Sequence, residues 1–111
     1  MTPSFLQRLR VTNNRRSRER GPRDSLVEEM LFRSNEMGGE CGEAQDAVKK
    51  YVRFMNGMKG GSDDIEHIGD ELADVIICAD RLAEMFDLDL EKIIKRKFNM
   101  TSEKYGFEEK L

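Results

Sequence analysis

Four acidic residues with a repeated spacing are the part of this sequence that could do chemistry. Glu40 and Glu43 stand three residues apart, and Glu71 and Asp74 repeat that spacing 31 residues later, from 40 to 71 and from 43 to 74. Side chains three apart on a helix lie one turn apart and can grip the same ion. The spacing therefore predicts two acidic pairs, each on one side of its own helix.

An apolar seam beside each pair distinguishes it from other acidic pairs. The sequence holds five pairs of acids at this spacing, so spacing alone does not separate a site from a solvated helix face. Beside these two pairs, however, apolar residues recur every three to four positions, as in a packing seam. The first seam is Met37, Cys41, Ala44, Val48, Tyr51 and Met55, and its counterpart is Ile68, Leu72, Val75, Ala79, Leu82 and Phe86. The acids lie on one flank of each seam, here called the acid-bearing flank, and apolar residues that favour burial continue it: Ala47 and Phe54 on the first of the two helices, Cys78 and Met85 on the second.

Antiparallel packing of these two helices would bring the four carboxylates together. Like charges in a partly buried cleft raise one another's pKa values, and a divalent cation relieves that repulsion. Oxygen ligands favour Mg²⁺, with Mn²⁺ as a substitute, and Mg²⁺ favours phosphate substrates. Such an ion polarises a phosphoryl group and activates water, and a spare carboxylate can accept the proton. Lys50 lies on the same flank as the first pair and is a candidate phosphate contact, as are Lys97 and Asn99.

Four helices and no strands are predicted to position these residues, which indicates an all-α bundle. Ser25 and Glu28 form a plausible capping box that opens the second helix, and Asp87 or Asp89 caps the fourth. Gly21 and Pro22 predict a break between the first two helices. The predicted helices span about 4–18, 25–55, 62–86 and 90–104, with a loop at 56–61.

The composition fits one small domain. The chain has 111 residues, and we assign 1–111 to one domain, with an Arg-rich segment at 1–24 and a catalytic core at 25–106. A helical domain this small buries limited apolar area, so we expect at least a dimer. Cys41 and Cys78 form no CxxC motif, and no segment resembles a signal or a membrane span. These features predict a cytoplasmic protein without a membrane partner.

Two segments resemble the MazG-like nucleotide pyrophosphohydrolases of the all-α NTP pyrophosphatase superfamily. The segments are GGECGEAQDAVKK (38–50) and GDELADVIICADRLAEMFDLDLEKIIKRKFNMTSEKYG (69–106). The signature of that family is ExxE on one helix and ExxD on the next, here Glu40 to Glu43 and Glu71 to Asp74. The Arg-rich start and the compact 56–62 loop depart from the family pattern.

The resemblance implies an enzyme with a compact helical bundle that forms a homodimer or homotetramer. It implies Mg²⁺-dependent hydrolysis of a nucleoside or deoxynucleoside triphosphate to the monophosphate and pyrophosphate, as in nucleotide-pool house-cleaning. Glu40, Glu43, Glu71 and Asp74 would then be the catalytic metal ligands. By the same resemblance Lys97, Asn99 and Tyr105 match substrate-related positions. Glu36, one turn before Glu40, would be an outer ligand or orient water.

Two other functions could use an acid-rich helical bundle. A di-iron bundle needs Glu-x-x-His from two helices, and one histidine, His67, cannot supply two such motifs. A non-enzymatic helical adaptor would use its seams for a partner helix and its basic N-terminal arm for nucleic acid. The adaptor hypothesis explains the basic arm but gives no reason for matched acids beside the seams. We therefore favour the enzyme and do not expect nucleic acid as its partner.

Overall fold

Four helices account for most of the chain. The computed structural model describes residues 2–21 and 25–111, and within these ranges there is no strand. The helices are α1 (Phe5–Arg20), α2 (Leu26–Met55), α3 (Ile65–Met85) and α4 (Leu90–Tyr105). The all-α bundle is therefore confirmed. The predicted break between α1 and α2 falls largely on residues 22–24, which lie outside the described residues.

Side-chain caps fix where the helices begin. Ser25 Oγ accepts a hydrogen bond from the backbone N–H of Glu28, so α2 begins where the sequence predicts. The Asp64 carboxylate caps α3, and the Asp89 carboxylate caps α4. Each cap satisfies a backbone donor that has no partner within its helix. Of the two candidates for the fourth cap, Asp89 is the one the helix uses.

Helices α2 and α3 form the largest contact in the protein and run antiparallel. Arg33 near the start of α2 bonds to Glu84 near the end of α3, with 2.7 Å between Nη1 and Oε2. Further along α2, Glu36 pairs with Arg81, which is earlier on α3. Residues later on α2 therefore contact residues earlier on α3, as expected for antiparallel helices. This is the orientation that brings the two acidic pairs to the same level.

The contact face of α2 and α3 is rotated from the predicted seams. The small residues Ala44, Ala47 and Cys78 are buried, and Ala47 and Cys78 belong to the acid-bearing flank. Large seam residues such as Val48 and Leu72 are 45% and 52% exposed. The two helices therefore pack partly along the seams, as at Ala44, and partly along the acid-bearing flank. Small side chains let the helices approach along the acid-bearing flank, whereas the seam residues Val48 and Leu72 stay exposed.

A buried carboxylate attaches α1 to α3. Asp80 is 1% exposed. It accepts hydrogen bonds from Arg10 Nε at 3.0 Å and from Asn13 Nδ2 at 2.9 Å. Arg10 also donates to the carbonyl of Leu88, which follows α3. One acidic side chain therefore fixes the N-terminal helix against the body of the protein.

Helix α4 packs mainly against α1, and the C-terminal tail folds back along it. The side chain of Asn99 accepts from the Leu111 N–H at 2.8 Å and donates to the Leu111 carbonyl at 3.3 Å. The tail and α4 enclose an open apolar groove of about 820 Å³. Across residues 2–21 and 25–111, no helix combines the length and apolar character that crossing a membrane requires.

Candidate metal centre

Three glutamates converge where α2 crosses α3. One carboxylate oxygen from each of Glu40, Glu43 and Glu71 lies within 4.8 Å of the other two. Glu40 and Glu43 are one turn apart on α2, and Glu71 reaches them from antiparallel α3. Glu40 and Glu71 are half-buried, whereas Glu43 is exposed. The arrangement is an acidic cleft that opens to solvent on the Glu43 side.

The cleft disfavours the ionised forms of its own glutamates, as the pKa values of Glu40 and Glu71 indicate. Burial raises the pKa of Glu40, and the neighbouring carboxyls of Glu43, Asp74 and Glu71 raise it further. Burial likewise raises the pKa of Glu71, Glu43 adds to the shift, and His67 acts in the opposite direction. Desolvation and like charge both favour the protonated acids. A bound cation would reverse that preference.

Two carboxylate oxygens in the cleft have no hydrogen-bond donor. Glu40 Oε2 and Glu71 Oε2 are both buried, and no partner for either exists in the described part of the chain. Leaving a buried acceptor unsatisfied is costly, and most such atoms in proteins have a partner. A divalent cation would satisfy both oxygens at once. A donor set made only of carboxylate oxygens suits Mg²⁺ or Mn²⁺ rather than a softer metal.

Asp74 lies at the edge of the cleft. It is exposed, and its charge raises the pKa of both Glu40 and Glu71, so it belongs to the same electrostatic unit. Among the described residues, however, the group whose oxygens converge contains only three acids and not Asp74. Its role as a fourth metal ligand stays a prediction.

His67 is a neighbour of the cleft that the sequence analysis did not assign to the site. Its Nε2 lies 3.5 Å from Glu71 Oε1, and the two residues are one turn apart on α3. The signal was present, since residues four apart on a helix are neighbours.

Glu36 lies beside the acidic cleft and also contacts α3. Its Oε1 accepts from Arg81 Nη1 and from the Cys78 thiol, which lies 3.6 Å away. Burial raises the pKa of Cys78 to about 11, with Glu36 and Glu40 adding to the shift. The thiol is therefore protonated at neutral pH and acts as a donor. The outer-shell role predicted for Glu36 stays a prediction, now with two identified partners.

The residues predicted to bind substrate lie outside the acidic cleft. Lys50 Nζ pairs with Asp46 Oδ2 at 3.1 Å, and Lys97 lines the groove on α4. Asn99 holds the C-terminal tail, and Tyr105 is 63% exposed. In the part of the chain that the structure describes, no hydrogen bond or ion pair joins these four residues to the three glutamates. Their substrate role stays a prediction.

Comparison with known proteins gives no further assignment. No family model matches the chain, and no curated protein or solved structure matches it either. Any function must therefore be argued from the acidic cleft and its surroundings.

Proposed function

We propose that this protein is a MazG-like nucleotide pyrophosphohydrolase that uses Mg²⁺, or Mn²⁺ in its place. It would hydrolyse nucleoside or deoxynucleoside triphosphates to the monophosphate and pyrophosphate. The supporting observation is the convergence of Glu40, Glu43 and Glu71, with two buried oxygens that lack donors. The carboxylates support a hard divalent cation, and the sequence resemblance supplies the substrate class.

Each acid has a place in this proposal. Glu40, Glu43 and Glu71 would hold the cation, which when bound supplies Lewis acidity and a more acidic water. His67 would orient Glu71 through its Nε2. Asp74, which is exposed at the edge of the cleft, would accept the proton of the attacking water. The new bond joins the water oxygen to the α-phosphorus. The bond between the α-phosphorus and the oxygen that bridges it to the β-phosphorus breaks, and pyrophosphate leaves.

We also propose that a second copy of the chain covers an apolar face of α2 and α3, named here the outer face. It consists of Val48, Val52, Met55, Ile65, Leu72 and Ile76, each between 45% and 64% exposed. On α2, Val48, Val52 and Met55 recur every three to four residues, and on α3 Leu72 and Ile76 are four residues apart, so each group lies on one side of its helix. Exposed apolar stripes of this kind suit packing against the helices of a second copy.

The size of the core supports this assembly. The buried apolar residues of the described chain are the small side chains Ala44, Ala47, Cys78 and Ala83. Burying large apolar side chains contributes about 1.5–3 kcal/mol each, so leaving six of them in water forgoes a large stabilisation. In a homodimer the outer faces of two chains would pack against each other. A homotetramer would need a second contact surface in addition.

A cytoplasmic location completes the proposal. Cys41 is exposed and Cys78 is buried, and both are free thiols. An exposed free thiol is typical of a reducing compartment. Clearance of unwanted nucleotides would take place in the same compartment as the nucleotide pool.

A substrate panel tests the proposed activity. The protein is incubated with each ribo- and deoxyribonucleoside triphosphate, with and without Mg²⁺, and the products are resolved by ³¹P NMR. We expect equal amounts of monophosphate and pyrophosphate, and no product in EDTA. Release of orthophosphate, or no turnover of any nucleotide with Mg²⁺ or Mn²⁺, would contradict the proposal.

The second candidate is a non-enzymatic adaptor that binds nucleic acid through α1. It is favoured by four exposed arginines that form no ion pair within the described ranges, namely Arg15, Arg16, Arg18 and Arg20. A gel shift of labelled RNA or DNA that weakens steeply with salt, without nucleotide hydrolysis, would support the adaptor. Hydrolysis without a shift would support the enzyme.

A further inference from the structure

A buried arginine holds the acid that immediately precedes the cleft. Arg81 on α3 is 6% exposed. Its Nη1 donates to Glu36 Oε1 on α2, and the thiol of Cys78 donates to the same oxygen. One carboxylate oxygen of Glu36 therefore has two donors from α3. The Glu36 side chain as a whole retains 23% of its exposure, so it is not trapped by burial alone.

Glu36 lies one helical turn before Glu40, the first of the three converging acids. It precedes Glu40 by four residues, which places the two side chains on the same face of α2, one turn apart. Both acids act on the Cys78 thiol, so both lie near a single point on α3. Yet among the described residues the convergent group contains Glu40, Glu43 and Glu71, and not Glu36.

A further carboxylate in the cleft would change how a cation is held. Mg²⁺ usually keeps several waters and substrate phosphate oxygens among its ligands. Each additional carboxylate ligand removes one of those open positions. A charge-assisted hydrogen bond from an arginine engages a carboxylate strongly, and the guanidinium stays charged at every working pH.

Stability alone does not explain a buried arginine at this position. Taking an ion pair out of water costs about as much as its attraction returns, and apolar residues of similar volume are often as good. A role in positioning Glu36 accounts for the presence of Arg81 beside the acidic cleft. It also accounts for the second donor, Cys78, on the same oxygen.

We infer that Arg81 is a positioning residue that keeps Glu36 out of the inner coordination sphere of the cation. The open positions then remain available to water and to the substrate phosphates. This inference rests on the proposed function, because it presupposes a divalent cation held by the three converging glutamates.

Mn²⁺ binding to the full-length protein without nucleotide tests the inference. Free Mn²⁺ is followed by EPR during titration of wild type, Arg81→Met, Glu36→Gln and the double variant, with helical content checked by circular dichroism. We expect Arg81→Met to bind Mn²⁺ about tenfold more tightly, because Glu36 is released to act as a ligand; tenfold corresponds to about 1.4 kcal/mol. The double variant should return to the wild-type affinity, and Glu36→Gln alone should match wild type.

The conservative variant separates positioning from packing. Arg81→Lys keeps a cation near Glu36 and should retain the wild-type Mn²⁺ affinity, whereas a purely structural role would make it resemble Arg81→Met. In nucleotide turnover, Arg81→Met should lower kcat more than it changes KM, because water and phosphate positions are lost.

Each contrary result has a definite meaning. The inference is overturned if folded Arg81→Met binds Mn²⁺ with wild-type or weaker affinity, or if the tightening survives Glu36→Gln. If Arg81→Met does not fold, a loss of Mn²⁺ affinity in Glu36→Gln overturns it, because Glu36 would then be a ligand already. Wild type that binds no Mn²⁺ overturns the proposed function and this inference together. Normal wild-type binding and turnover with an unaffected Arg81→Met overturns this inference alone.

Discussion

At the scale of single residues, the unusual atoms are the carboxylate oxygens of Glu40 and Glu71. Each has one buried oxygen without a donor in the described ranges, and each acid has a raised pKa. Proteins retain such unfavourable groups where they serve a ligand or a reaction. Without a cation, burial and charge repulsion at these two carboxylates therefore destabilise the folded chain.

Replacing Glu71 by glutamine should separate activity from stability. We expect Glu71→Gln to lower kcat/KM by at least about 100-fold, since even outer-shell changes cost 10–100-fold at metal sites. Without metal the variant should melt at a higher temperature than wild type, because one repelling charge is gone. Turnover is measured by pyrophosphate release and melting by circular dichroism. Glu103→Gln on exposed α4 is the control, and normal rates in Glu71→Gln would remove Glu71 from the site.

The stability gap between Glu71→Gln and wild type should depend on pH. Because the pKa of Glu71 is raised by burial and by Glu43, the folded wild type is penalised above that pKa. As pH falls through the raised pKa, the folded state takes up a proton before the unfolded state does, and the penalty disappears. The gap should therefore be widest at neutral pH and close in mildly acidic buffer. Urea unfolding of metal-free protein measures it, and a gap that widens on acidification would contradict the raised pKa.

Residue spacing predicted the acids but not all their partners. The 31-residue offset marked Glu40, Glu43 and Glu71 because spacing fixes the angle of a side chain around its helix. Pairings such as Glu36 with Arg81 depend on the rotation of two helices and on long, flexible side chains. Periodicity on one helix contains no such information.

At the scale of elements, α1 depends on one buried acid. Asp80 is the acceptor for both Arg10 and Asn13, and Asn13 is itself 2% exposed. The sequence predicted a helix at about 4–18, yet the attachment of α1 to α3 is largely polar. Apolar periodicity cannot reveal such a polar contact, so the packing of α1 was not predictable in the same way.

Removing that acid should loosen α1. We expect Asp80→Ala to lower the free energy of unfolding by about 3 kcal/mol, because Arg10 and the buried Asn13 amide lose their charged acceptor and keep only the carbonyls of Leu88 and Ile77. Amide hydrogen exchange should quicken over α1 more than over α2. Asp70→Ala, at an exposed position on the same helix, should change stability by less than about 0.5 kcal/mol. Equal effects of the two substitutions would show that Asp80 is not the attachment.

At the scale of the whole molecule, the single chain is less compact than a typical domain of its length. Its radius of gyration is 17.4 Å, whereas a compact domain of this length has about 13 Å. The outer face of α2 and α3 and the groove along α4 both expose apolar side chains. Three residues of the predicted seams, Val48, Met55 and Leu72, belong to this exposed outer face. One chain cannot reveal which apolar stripe faces its own fold and which faces a partner.

Disrupting the outer face should dissociate the assembly. We expect wild type to sediment as a dimer or tetramer, and Leu72→Glu combined with Ile76→Glu to sediment as a monomer with a lower melting temperature. A charge on each stripe residue would be buried unpaired at the interface, which is costly. Asp70→Lys, on the same helix but away from the outer face, is the matched control and should leave the assembly intact. Wild type that sediments as a monomer at all concentrations would contradict the assembly.

Anomalous diffraction from crystals soaked in Mn²⁺ would show whether the three glutamates bind a metal. We expect a manganese peak between α2 and α3, bonded to oxygens of Glu40, Glu43 and Glu71. The same peak should be absent from crystals of Glu43→Gln grown and soaked in parallel. A wild-type crystal whose three carboxylates turn away into solvent, with no manganese between them, would contradict the proposed metal centre.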